Sequence, residues 1–82
     1  MLFKKKGLFT VSDALKVVEM ASKEDPREII IMCEASDEHA KRRLWDYAKG
    51  VELMADLTGE KRNVKIEILE GYVSDKVKGI EL

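Results

Sequence analysis

Two rhythms of apolar and polar residues run along this chain, and each change of rhythm marks an element. The stretch Gly7-Leu-Phe-Thr-Val11 is short and β-leaning, and predicts a first strand. From Ser12 the spacing turns helical: Ala14, Leu15, Val18 and Ala21 share one face, widened by Val17 and Met20. Thr10 or Ser12 supplies the N-cap, and Thr10 with Asp13 has the spacing of a capping box in which aspartate replaces glutamate. Pro26 ends this helix, because its ring drives Asp25 out of the helical region.

Residues 27–34 predict the second strand. Its run Ile29-Ile30-Ile31-Met32-Cys33 lacks alternation, as in a strand covered on both faces. Ser36 then caps the longest helix, with Asp37 and Glu38 near the positive end of its dipole. This helix runs to Thr58, and Gly59 stops it. At about 100° per residue, Ala40, Leu44, Tyr47, Ala48, Val51, Met54 and Ala55 fall on one stripe that faces the sheet. Arg43, Asp46, Gly50, Leu53 and Leu57 fall on an adjacent second face. Val64, Ile66 and Ile68 alternate with Lys65 and Glu67, so 63–70 predicts a third strand with one polar face. Gly71 opens a turn, and 76–82 reads as a final strand with a bulge at Gly79.

The order β-α-β-α-β-β predicts an α/β (α+β) two-layer sandwich. Both helices pack on one face of a small mixed sheet; the first three strands are joined by helical crossovers, and the last two form a hairpin. The other face is left open. The apolar second strand requires a cover there, and a second copy's sheet would supply it, with Ile29, Ile30, Ile31, Met32 and Cys33 at the dimer interface.

Length sharpens that expectation. The 82 residues make one domain (1–82), with 1–6 as a flexible basic and apolar terminus. A domain of this size buries only about 60 to 65% of its unfolded surface and is usually supported by disulfides, a metal or association. One cysteine (Cys33) and one histidine (His39) exclude an internal disulfide and a Cys- or His-rich metal centre, so association is the support that remains. No cofactor is implied.

Fifteen basic and sixteen acidic residues nearly cancel, which argues against nucleic acid as a partner. Charged residues make up 38% of the chain, glutamine is absent and Asn63 is the sole asparagine, a composition that leans toward a thermophile. No apolar run approaches the roughly 20 residues that span a bilayer. Met1-Leu-Phe3 is too short for a secretory signal, so a cytoplasmic location is expected. The lysines that follow either brush an anionic membrane or lie on a frayed terminus.

No catalytic constellation emerges. Cys33 and His39 stand either as a Cys–His pair across a strand-to-helix turn or as a buried small side chain and a surface histidine. The basic triplet Lys41-Arg42-Arg43 serves either ion pairs with Asp46 or phosphate binding. Trp45, off the core stripe, either covers the stripe's margin or anchors an interface. Gly50 costs about 1 kcal/mol against alanine in a helix interior, and is either a tolerated imperfection or the point where another backbone approaches.

The helix carries Ala-Lys-Arg and then Arg43-Leu-Trp-Asp46-Tyr47-Ala-Lys-Gly50. Together with the Ile-rich strand before it, this resembles the core domain of SepF, the cell-division adaptor of the FtsZ ring. Tyr47 stands where bacterial members usually carry Phe, and the composition suits an archaeal type. The resemblance covers residues 12–50. It implies a homodimer through sheet faces, further association through helices into polymers, and recognition of the C-terminal tail of an FtsZ-like protein at the division site. Arg43, Asp46, Tyr47 and Gly50 carry over as the motif that shapes the long helix, with Trp45, Leu53 and Leu57 beside it. An Alba-type nucleic-acid module shares the element order and is the alternative; it would need a basic hairpin and a positive excess.

Overall fold

Residues 1–82 are described by a computed structural model with two helices and one four-stranded sheet. The elements are β1 (Leu2–Phe9), α1 (Val11–Glu24), β2 (Glu28–Ser36), α2 (Glu38–Leu57), β3 (Lys65–Glu70) and β4 (Ile80–Glu81). The α/β class and the order β-α-β-α-β-β are those the periodicity predicts. No helix is long and apolar enough to cross a membrane.

Three expectations are corrected. The terminus at 1–6 is not a flexible tail but most of β1, an interior strand of the sheet. Leu2, Phe3, Lys4 and Lys5 pair in parallel with Ile30, Ile31, Met32 and Cys33. The sheet is also wholly parallel rather than mixed, in the order β3-β2-β1-β4. β3 and β4 do not form a hairpin. They lie at opposite edges, with Ile80 beside Phe3.

Paired residues in a parallel sheet share a face. Phe3, Ile29, Ile31 and Cys33 point toward the helices and are fully buried, with Ala14, Val17 and Ala21 of α1 and Ala40 and Leu44 of α2. Their sequence neighbours Leu2, Lys4, Ile30 and Met32 therefore point outward, as does Leu69, which pairs with Met32. Alternation is thus present in β2, hidden because both faces carry apolar residues. The outer face is partly covered by the chain itself. After β3 the backbone crosses it to reach the far side of β1, burying Val73 to 8% exposure and Lys4 to 7%. Crossing on the opposite face and in the opposite direction gives this connection the same hand as the two helical ones, since a half-turn about the strand axis relates them.

The caps fall close to their sequence signals. Thr10 is the N-cap of α1: Asp13 N–H donates to Thr10 Oγ1 at 3.4 Å, and Thr10 N–H donates to Asp13 Oδ2 at 3.0 Å. Asp25 ends the helix in the left-handed region at φ 55°. On α2 the cap is Asp37, which accepts from His39 N–H at 2.9 Å, one residue beyond the Ser36 expected. Gly59 follows α2 at φ 78°, a conformation that suits glycine.

Burial penalises the Asp13 carboxylate, but hydrogen bonds from the Thr10 amide and hydroxyl and from Lys5 outweigh it and hold the pKa below 3.8. A carboxyl group with a depressed native pKa contributes stability that is complete above its ordinary value and is lost as pH falls through the native one. Replacing Asp13 by Asn is expected to lower stability by about 1 kcal/mol at neutral pH, the usual scale for a lost cap. That deficit should shrink as pH falls below 3.8. Denaturant titrations of both proteins across that range check it, and a deficit independent of pH would contradict it.

Candidate interaction surfaces

α2 is longer than α1, 20 residues against 14, so its last turns overhang the layer. The six extra residues extend it by about 9 Å at 1.5 Å per residue. Ala40 and Leu44 are fully buried, Ala55 nearly so, and Tyr47, Ala48 and Val51 half-buried, as the stripe predicts. Met54 departs from it: at 64% exposure it lies on the overhang, beside Leu53 and Leu57, which are more than half exposed.

Around this overhang lies an open hollow of about 520 Å³, bordered by Tyr47, Gly50, Val51 and Met54 on α2 and by Asp25 and Arg62. Arg62 donates to the Asp25 carboxylate and, at 2.7 Å, to the Asp25 main-chain carbonyl. This clamp ties the loop after α2 to the end of α1. Gly50 is exposed in the hollow wall, and a Cβ built on it meets nothing within 4 Å. No contact inside the monomer requires glycine there.

The remaining α2 residues singled out by sequence are all on its exposed side. Arg43, Asp46 and Arg42 are exposed, and the Arg42–Asp46 and Arg43–Asp46 pairs do not form. Lys41 is the paired member of the triplet, at 3.4 Å from Glu38 and 2.9 Å from Glu70. Trp45, 45% exposed, borders a second hollow with Arg42, Asp46 and Lys49. Charge is segregated along the helix. From Lys41 to Lys49 there are four bases and one acid; from Val51 to Glu60 there are three acids and no base.

Sequence reasoning missed the link among Ser36, Glu70 and Lys41. Ser36 Oγ donates to Glu70 Oε1 at 2.6 Å, and this bond and the Lys41 ammonium hold the Glu70 carboxyl below its ordinary 4.5. The link joins the ends of β2 and β3 to the first turn of α2. Only the β2–β3 register, with Cys33 beside Glu70, brings these residues together, and no local pattern announces it. Cys33 and His39 are not a pair: the thiol is fully buried and its pKa pushed up, first by burial and then by Glu70, while His39 is exposed.

The second surface is the outer sheet face. Of the five residues expected at a dimer interface, Ile29, Ile31 and Cys33 are sealed beneath the chain's own helices and cannot take part. Ile30 and Met32, half-buried, face outward with Leu69 at 42% exposure. No cluster of His, Cys, Asp or Glu side chains is arranged to hold a metal ion.

No protein-family model matches this chain, and neither does any curated protein or solved structure.

Because nothing fills the space beside Gly50, alanine there removes backbone freedom from the unfolded chain without a clash. Gly50→Ala is expected to stabilise the dilute monomer by about 0.5 to 1 kcal/mol. Urea unfolding at low protein concentration measures this, and a destabilised Gly50→Ala monomer would contradict the open environment described.

Proposed function

We propose that this chain is a self-associating, non-enzymatic adaptor of the SepF type, working in the cytoplasm at the division site and binding the tail of an FtsZ-like protein. The observation that carries the self-association is Gly50. It weakens the helix, no neighbour in the monomer needs it, and exposed Leu53 and Leu57 share its face. A glycine of that kind suits a helix that meets another backbone closely.

The charge pattern favours an antiparallel crossing of two α2 helices about Gly50. In that arrangement the basic N-terminal half of one copy runs alongside the acidic C-terminal half of the other. Leu53 and Leu57, on the Gly50 face, then flank the crossing point, and the hollow beside Gly50 receives a side chain from the second copy. Opposite charges of this kind set orientation and on-rate more than affinity. The Alba-type alternative loses its main feature, since β3 and β4 lie at opposite edges and form no basic hairpin.

Sedimentation across a micromolar range is expected to show mass that rises with concentration. Gly50→Trp and Leu57→Asp should weaken that association at least tenfold, or about 1.4 kcal/mol, with the fold retained by circular dichroism. Added salt should weaken it further in the wild type. A wild type that stays monomeric, or variants that associate equally, would remove the self-association. Binding of a labelled FtsZ tail peptide tests the adaptor role separately, and no binding would remove it.

A further inference from the structure

The segment from Gly71 to Gly79 does more than connect two strands. It runs back along the outer face of β1 in a regular two-for-two register: Asp75 over Lys6, with Oδ1 to Nζ at 3.2 Å, Val77 over Lys4, and Gly79 over Leu2. Lys4 Nζ donates to the Val77 carbonyl at 2.9 Å. A Cβ on Gly79 would stand 3.1 Å from the Leu2 carbonyl oxygen and 3.0 Å from Lys4 Cγ, so the segment lies this close because residue 79 has no side chain. At its other end Gly71, at φ 134°, donates its N–H to the Cys33 carbonyl at 2.9 Å. The segment is thus bounded by two glycines, one a pivot and one a point of close approach.

We propose that 71–79 is a removable strap that decides whether the outer sheet face can pair with a second copy. Two sheets pack face to face at about 10 Å, a gap filled by their own side chains, with no room for a further layer of backbone. The docked strap is such a layer, and Tyr72 stands 86% exposed upon it. With the strap in place the apolar strip of Ile30, Met32 and Leu69 is held away from any second sheet. With the strap released the face is continuous from β1 to β3.

The anchorage is weak by construction. Beyond the Gly71–Cys33 and Lys4–Val77 hydrogen bonds, it consists of Val73 as the one buried apolar side chain, an exposed ion pair from Lys6, and the short β4, where Leu82 N–H donates to the Lys4 carbonyl at 2.9 Å. Lys4 adds a single hydrogen bond, from Nζ to the Val77 carbonyl, and no carboxylate pairs with it there. The second copy suits the freed face. The face carries Glu34 and Glu67 beside Lys4, Lys6 and Lys65, so a two-fold pairing brings both signs to each side of the interface. This inference rests on the self-association reading and extends it from the helix to the sheet.

The test uses the full chain with Gly50→Trp, which silences the helix contact, together with Cys33→Ala and Met32→Cys, which place one thiol on the outer face. With an intact strap, oxidation should give little disulfide-linked dimer. Adding Gly79→Leu, which the Leu2 carbonyl obstructs, or Lys6→Glu, which repels Asp75, should raise the linked fraction at least tenfold and increase the sedimenting mass. Circular dichroism establishes that each variant is folded, and Lys6→Glu, on an exposed side chain, carries the test if Gly79→Leu unfolds. Folded variants that stay unlinked would overturn the strap, as would a chain with an intact strap that links equally well. Failure of the helix reading is recorded independently, by a wild type and a Gly50→Trp chain that sediment alike.

Discussion

The structure depends on β1 serving two surfaces at once. As an interior strand it sends Phe3 and Phe9 into the helix-covered core, where both are fully buried, and Lys4 and Lys6 to the other side. Two helices cover one face of a four-stranded sheet and leave the other uncovered. A parallel sheet is normally sheltered on both sides. Here the second shelter is partial: the chain's own segment lies over β1, while the outward residues of β2 and β3 stay half-buried or open.

From that arrangement the two candidate surfaces follow. The first exists because α2 outruns α1 and leaves Leu53, Met54 and Leu57 of its last turns exposed around the nearly buried Ala55. The second exists because the segment after β3 follows one strand and not the whole sheet. Each surface combines exposed apolar residues with charges of both signs, a composition that suits meeting another copy of the same chain. The Arg62–Asp25 clamp and the Ser36–Glu70–Lys41 link hold the two ends of α2 in place. The helix face is therefore presented on a fixed support.

Much of this was legible in the chain. The capping box at Thr10 and Asp13, the two helix stripes apart from exposed Leu15 and Met54, and the alternation of 64–68 are local signals that survive folding. The terminal strand was not legible, because Lys4-Lys5-Lys6 reads as solvated charge; its lysines are accommodated only once Asp13, Val77 and Asp75 come from elsewhere in the chain. The unbroken run Ile29 to Cys33 suggests a strip facing a partner, whereas alternate members face opposite ways. The hairpin failed for a similar reason. The residues from Gly71 to Gly79 exceed the two to five usual for a hairpin loop, a length that suits a crossing better than a turn. Asp37 caps α2 in place of Ser36, whose hydroxyl is engaged by Glu70, a residue that only the sheet register brings near.

The most direct measurement is a set of proton–proton distances from nuclear Overhauser spectra of the wild-type chain. Contacts from Gly79 to Leu2, from Val77 to Lys4 and from Ile80 to Phe3 are the expected result, with none between β3 and β4. Cross-strand contacts between 65–70 and 76–82, the pattern of an antiparallel hairpin, would contradict the account and leave the outer face of β1 bare.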